Sequence, residues 1–465
     1  MEKKWSRFVS ITCALVMGTM LISACGNSQK KNENGEDVTT ISVGDIPTAD
    51  TNPEANQICM ERIANFEKNN PDIKIKADSY VFSPDSYSAM AAAGTLPTTY
   101  HLPFTQAKTV IDNEYTEDVS EAFKKFGIYD QISDTIMEKI SSDGKIYLIP
   151  EACYDSGLVL NMKLYKQAGL VNDDGTPKIP TTWEELAENA KAIKEKTGKT
   201  GFAMPASGWR FMPIAWSFGG EFLEQQSDGK WKAVFDSPEV VAALEYVKDL
   251  KWKYNVIQEN ALINSDGVNQ LLASGEAGMM FGEPIQVSSC TIFGMDFADV
   301  GMVQMPAGPA KHVTLIGGTY SAVNKGATEK EIEAVIRWLT ETSTLGVTLT
   351  DTAKKNINSQ IELDLSTKNV VGINTISPWK SDNAVQQYRE QISQEKANVN
   401  LDYVKNYNDK SNIEFHEEEP VVASQLYRAL NNCIQEVWTN ENADCEALLK
   451  QTAADFQKNQ LDNLK

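Results

Sequence analysis

The stretch that decides the fold is Asp143-Gly-Lys-Ile-Tyr-Leu-Ile-Pro-Glu-Ala-Cys-Tyr-Asp-Ser-Gly-Leu-Val-Leu-Asn161. Asp143-Gly144 is a turn signal. Ile146 to Ile149 is an apolar run of strand length closed by Pro150, and Leu158 to Leu160 is a second such run. Between them come Glu151, Cys153, Tyr154, Asp155 and Gly157. Two readings fit. One is a β-hairpin with a polar loop. The other is a chain leaving one sheet and entering another, so that the side chains in the gap face the space between two lobes.

Working outward, strands and helices alternate on both sides. Toward the N-terminus, Val38 to Gly44 reads as a strand, and Glu54 to Asn69 as a helix stopped by Asn69-Asn70-Pro71-Asp72. Ile73 and Ile75 alternate with lysines as a second strand, Tyr87 to Ala93 is helical, and Tyr100 to Leu102 is a short strand. Toward the C-terminus, Lys163 to Ala168 is a short helix closed by Gly169. Thr182 and Glu185 read as a capping box, the Thr182 hydroxyl taking the Glu185 amide while the Glu185 side chain reaches back. Ser237-Pro238 opens another helix, and Thr328 with Glu331 forms a second capping box. Gly278 to Gly282 and Val300 to Met305 are strands, and from Asn383 onward the pattern is mostly helical. The acidic run Glu414, Glu417, Glu418 and Glu419 reads as a solvated loop. This alternation argues an α/β protein with mainly parallel pairing.

With 465 residues, 42% of them hydrophobic and 23% charged, the chain can build two or three domains with substantial cores. The formal net charge is -21. Lys3, Lys4 and Arg7 against Glu2 make the first 24 residues +2, which leaves -23 for the rest. Such a surface repels phosphate backbones, so nucleic acid is not an expected partner. The N-terminus has the charged and apolar regions of a targeting segment and ends Leu21-Ile22-Ser23-Ala24-Cys25-Gly26. It resembles a bacterial lipoprotein signal, cleaved before Cys25, whose thiol is then acylated; a plain secretory signal is the other reading. Gly26 to Asp37 is polar and reads as a tether reaching roughly 20 Å. After the leader, Cys59, Cys153, Cys290, Cys433 and Cys445 show no metal or redox spacing, and either a Cys433–Cys445 bridge or free thiols would fit.

Catalytic patterns are missing. No G-x-S-x-G or H-E-x-x-H occurs, and Gly198-Lys199-Thr200 lacks the preceding glycine of a phosphate loop, with Ile193 in its place. His101, His312 and His416 are scattered without metal spacing, so no metal or cofactor is expected. Binding signals are richer. The segment Trp209 to Gly220 holds two tryptophans and two phenylalanines, and aromatic faces stack on the C–H faces of sugar rings. Trp209 follows Ser207-Gly208 and reads as exposed, whereas Trp216 fits core and site equally.

Several stretches, in order, resemble the extracellular solute-binding proteins of bacterial ABC importers, in the sugar-binding group that includes maltose-binding protein. They are Ala93 to Pro97, Asp143 to Pro150, Asn161 to Lys163, Pro180 to Leu186, Ser237 to Glu239, Ser274 to Met280, Pro306 to Pro309 with Gly317-Gly318, and the tail around Glu446 to Leu448. Two departures are Gly282-Glu283-Pro284, where the family often has tryptophan, and Thr98, where aspartate often stands. The resemblance implies a two-lobe, type II periplasmic-binding-protein-like fold, each lobe a mainly parallel sheet flanked by helices. Lobe one would be 38–150 plus 313–372, and lobe two 155–310 plus 375–465. Ligand contacts would come from Asp45, Phe104, Gln106, Tyr154, Asp155, Trp209, Trp216, Glu283, Tyr320 and Trp379, with Trp209 as stacking platform and Asp155 and Glu283 as hydroxyl acceptors. The implied function is a monomeric, non-enzymatic receptor that holds a mono- or oligosaccharide and delivers it to ABC permease subunits. It would sit outside the cell membrane on a lipidated Cys25. A binding protein for a polyamine or peptide, or a cell-surface glycosidase, are the alternatives.

Overall fold

The structure is a computed structural model, and it describes residues 37–342 and 345–464. The leader, Cys25 and the tether lie outside the described residues. Two sheets with separate hydrophobic cores make the two lobes.

In the first sheet, strand Thr39–Val43 pairs in parallel with Ile73–Ala77 and with Thr99–Pro103. Helix Pro53–Asn69 turns Ile63 and Phe66 inward, and Phe66 meets Trp338 of helix Glu329–Thr342 edge-on at 5.2 Å. The long strand Val313–Val323 then joins antiparallel to Thr99–Pro103 on one edge and to Leu148–Asp155 on the other. In the second sheet the order is Val300–Gln304, Gly157–Asn161, Ala277–Gly282, Thr200–Ala203. Here the pairing is mixed. Gly157–Asn161 is antiparallel to both neighbours, and only Ala277–Gly282 with Thr200–Ala203 is parallel. The expectation of a mainly parallel sheet fails in this lobe for a simple reason. Gly157–Asn161 enters from the hinge, opposite in direction to the three strands that end there.

The opening stretch is not a hairpin. Leu148–Asp155 is one eight-residue strand of the first sheet, Ser156 alone interrupts it, and Gly157–Asn161 belongs to the second sheet. A side chain at Gly157 would not fit, because a Cβ there would stand 2.6 Å from the Val303 carbonyl oxygen and 2.8 Å from the Tyr407 ring. Asp155 fixes the junction. Its carboxylate accepts from the Ile376 amide (3.1 Å) and pairs with Lys410 (2.7 Å), while its carbonyl accepts from the Tyr407 hydroxyl (2.8 Å).

The C-terminal part departs from expectation twice. The acidic run is no solvated loop. Glu414–Glu417 is a strand, parallel to Val313–Ile316, and it forms a further hinge crossing. Glu419 beyond it is 5% exposed. Nor does the chain pass once from lobe to lobe at 372–375. Trp379 packs in the first core and Ser133 donates to the Pro378 carbonyl (2.9 Å), whereas helix Leu401–Asn408 serves the second lobe, its Asn406 side chain accepting from the Gln304 amide (2.9 Å). Helices Asp351–Ser366 and Ala384–Glu395 form a small core of their own between these attachments.

Both expected capping residues act as N-terminal partners, with one change. Glu331 closes its box on the Thr328 amide (2.8 Å), but Glu185 reaches past Thr182 to the amide of Thr181 (2.6 Å). Cys433 and Cys445 are both buried free thiols.

Candidate functional site at the hinge

Strand Thr39–Val43, strand Thr99–Pro103 and strand Leu148–Asp155 of the first lobe, and strand Ala277–Gly282 of the second, all present their C-terminal ends to the hinge. That is where open α/β sheets hold ligands. On the second-lobe side, helix Gly208–Ser217 begins with Ser207 accepting the Arg210 amide, and Gly208 seats against helix Ala423–Thr439, where a Cβ would lie 2.7 Å from Leu430. This close approach lets Trp209 and Tyr427 share one carboxylate, that of Glu418.

Trp209 keeps part of its surface open. The Arg210 guanidinium stands over its ring at 4.4 Å, a cation–π contact. Arg210 is held in turn by Glu283 in a two-pronged ion pair, with the second prong at 2.9 Å, and Ser156 donates to the same carboxylate. Both partners are buried, at 7% and 3% exposure. Glu418, directly after strand Glu414–Glu417, accepts from the Tyr427 hydroxyl and from the Trp209 indole, and burial pushes its carboxyl above the ordinary range. Burial pushes the hydroxyl of half-buried Tyr154 up, and the nearby Glu418 and Glu283 carboxylates add to the rise while Arg210 opposes it. Its ring fills the space over Gly317, where a Cβ would come within 2.4 Å of it.

On the first-lobe side, Asp45 takes a left-handed conformation (φ 60°) two residues after the end of its strand and accepts from the His101 amide (3.1 Å). The His101 ring lies 3.2 Å from Asp45 and 3.7 Å from Glu151. Burial opposes its charge, but the two carboxylates outweigh that and push its pKa up to about 10. Glu151 also accepts from Ser321.

Several residues expected at the ligand lie elsewhere. Phe104 and Tyr320 are buried and stack on each other at 4.0 Å in the first core. Trp216 is fully buried and stacks on His416, and Trp379 is at 5% exposure in the first core. Asp155 and Glu283 are committed to Lys410 and Arg210, so neither has a carboxylate left for a hydroxyl. The large apolar rings among them go where burial gains most, into the interior. Tyr154, Trp209, Asp45 and Gln106 keep open surface near the strand ends. The sequence reading missed His101, Glu151, Arg210, Glu418 and Tyr427. Arg210 next to Trp209 was the available signal.

Two α/β lobes joined by strands, with a polar and aromatic cluster at the crossing, define a two-lobe binding protein that can hold a solute between its halves. Comparison with known families agrees. Residues 61–362 match the family described as bacterial extracellular solute-binding protein, and the chain belongs to that family. Among solved structures, the GacH receptor of Streptomyces glaucescens is similar at 17% identity, with a TM-score of 0.64, covering 92% of this chain and 100% of that one. The maltose-bound MalE3 of T. maritima is similar at 21% identity and a TM-score of 0.61, covering 90% of this chain and 99% of that one. At such identities the likeness is one of fold. Among curated proteins, the diacetylchitobiose binding protein DasA of Streptomyces coelicolor is 25% identical over 154 residues, which are 32% of this chain and 34% of that protein. The chain therefore matches about a third of that relative's length.

Proposed function

We propose that this protein is the substrate-binding subunit of an ABC importer, taking a mono- or oligosaccharide at the hinge and presenting it to membrane permease subunits. The observation that carries the reading is Trp209. Its indole is half-open at the strand ends, with Arg210 and Glu418 fixing it, as a stacking platform requires. The ligands of its relatives support it. MalE3 is described with bound maltose, GacH with acarbose, and DasA binds diacetylchitobiose. Tyr154 and Glu418 would flank the sugar from the hinge, with Arg210 backing Trp209 rather than touching it, and Asp45, His101 and Glu151 would meet it from the first lobe. Contacts to both sides form only when the lobes close, so ligand draws the population toward the closed form. The lipidated Cys25 and the tether complete the proposal by holding a monomeric receptor outside the membrane. Among the described residues no helix is long and apolar enough to cross a membrane.

The test is a calorimetric and thermal-shift panel of sugars, polyamines and peptides with purified protein. Saturable sugar binding without turnover is expected. Polyamine or peptide binding in its place, or sugar hydrolysis, would replace this reading by one of its alternatives.

A further inference from the structure

A cavity of about 710 Å³ opens from the hinge end of the first lobe. Helix Pro53–Asn69 forms one wall, helices Asp351–Ser366 and Ala384–Glu395 form the other, and Asp45, His101, Glu151 and Ser321 close the hinge end. The volume falls in the range of small-ligand sites. Its acids are all engaged. Asp45 pairs with His101, Glu151 accepts from Ser321, Glu341 accepts from Asn70 (3.0 Å), and Glu61 accepts from Gln57 (2.9 Å). Its two arginines are not. Arg62 on one wall and Arg389 on the other have neither a hydrogen bond nor an ion pair among the described residues. No lysine lines the space. Arg389 is half-buried, and burial lowers its pKa; the Asp364 carboxylate nearby opposes that only in part and makes no ion pair with it. A planar guanidinium fork in that condition matches the geometry of a two-oxygen anion.

We propose that the solute of this protein carries a negatively charged substituent, a carboxylate or a sulfate ester, received by Arg389 with Arg62 opposite. The inference rests on the carbohydrate reading above and narrows it to acidic saccharides. The chain as a whole is acidic, with a formal net charge of -21, and repels anions at a distance, so selection for the charged group is local to this cavity.

Calorimetry tests it, using matched oligosaccharides in gluco, galacto and manno configuration, each as the neutral form, the uronate and the sulfate ester. The acidic form should bind roughly tenfold or more tightly than its neutral counterpart, as expected for charge-assisted hydrogen bonds. Arg389→Gln should abolish that preference, Arg389→Lys should keep part of it, and the exposed Arg62→Gln should weaken it less. The two acidic arms tell a carboxylate from a sulfate. Neutral saccharides binding as tightly as acidic ones, or a preference unchanged in Arg389→Gln, would overturn the inference and leave the carbohydrate reading standing. Failure of every saccharide to bind would overturn both.

Discussion

At the scale of single residues, Trp209 and the pair behind it do different work. Trp209→Ala should cost about 1–3 kcal/mol of sugar affinity, the scale of stacking on an aromatic platform, with little change in melting temperature because the ring is only half-buried. Unchanged affinity by calorimetry would remove Trp209 from the site. Glu283→Gln should instead act on stability. It leaves Arg210 charged and buried without its carboxylate, and breaking such a pair costs about 3–5 kcal/mol. Denaturant unfolding that moves by less than about 1 kcal/mol would contradict that assignment. Trp209 was legible in the sequence because Ser207-Gly208 marks an open start to its helix. Glu283 was legible as a residue following a strand but not in its role. Whether a carboxylate faces a ligand or an arginine 73 positions away depends on packing that local pattern does not encode.

At the scale of elements, the hinge is where sequence and structure agree in outline and part in detail. The apolar runs around Ile146 and Leu158 marked the two strands, yet the polar gap read between them is a single residue, since Cys153, Tyr154 and Asp155 continue the strand on Gly318, Gly317 and Ile316, with Glu151 at a register shift. A strand buried on one face and polar on the other resembles a loop when its partner is more than 150 residues away. The strand at Glu414–Glu417 was hidden for the same reason, four acids in six positions reading as a charged surface. Gly317 tests the crossing directly. Gly317→Ala would thrust a methyl into the Tyr154 ring, so the ring must swing out and ligand affinity should fall while the protein stays folded. Equal affinity, with circular dichroism also unchanged, would mean that Tyr154 plays no part in binding.

At the scale of the whole molecule, two displaced titrations give the stability a slope. Burial pushes the Glu419 carboxyl up to about 8, with Glu221 adding to the rise. In the unfolded chain this group ionises near pH 4.5, so the protonated form favours the fold, and that contribution fades as pH climbs from about 4.5 through 8. His101 acts in the same direction at higher pH. Its charged form is favoured by Asp45 and Glu151, so its contribution is full below about 6.5 and is lost as pH passes through 10. The ring is 43% exposed and water screens part of that attraction, so its share is the smaller. Thermal melting should therefore fall steadily from pH 6 to pH 10, and Glu419→Gln should flatten the lower half of that slope. A melting temperature that rises across this interval would contradict both assignments. The two-lobe plan was legible through motifs spread in order along the chain, because it repeats strand–helix units with ordinary boundary signals. The route of 345–412, which touches the first lobe, then the second, then the hinge, was not.

The proposed function turns on coupling between capture and closure. Small-angle X-ray scattering of the purified protein, with and without a saccharide shown by calorimetry to bind, measures it most directly. The radius of gyration should shrink on saturation, and shrink less in Trp209→Ala at the same ligand concentration. A saturated protein whose scattering profile is superimposable on that of the free protein would contradict it.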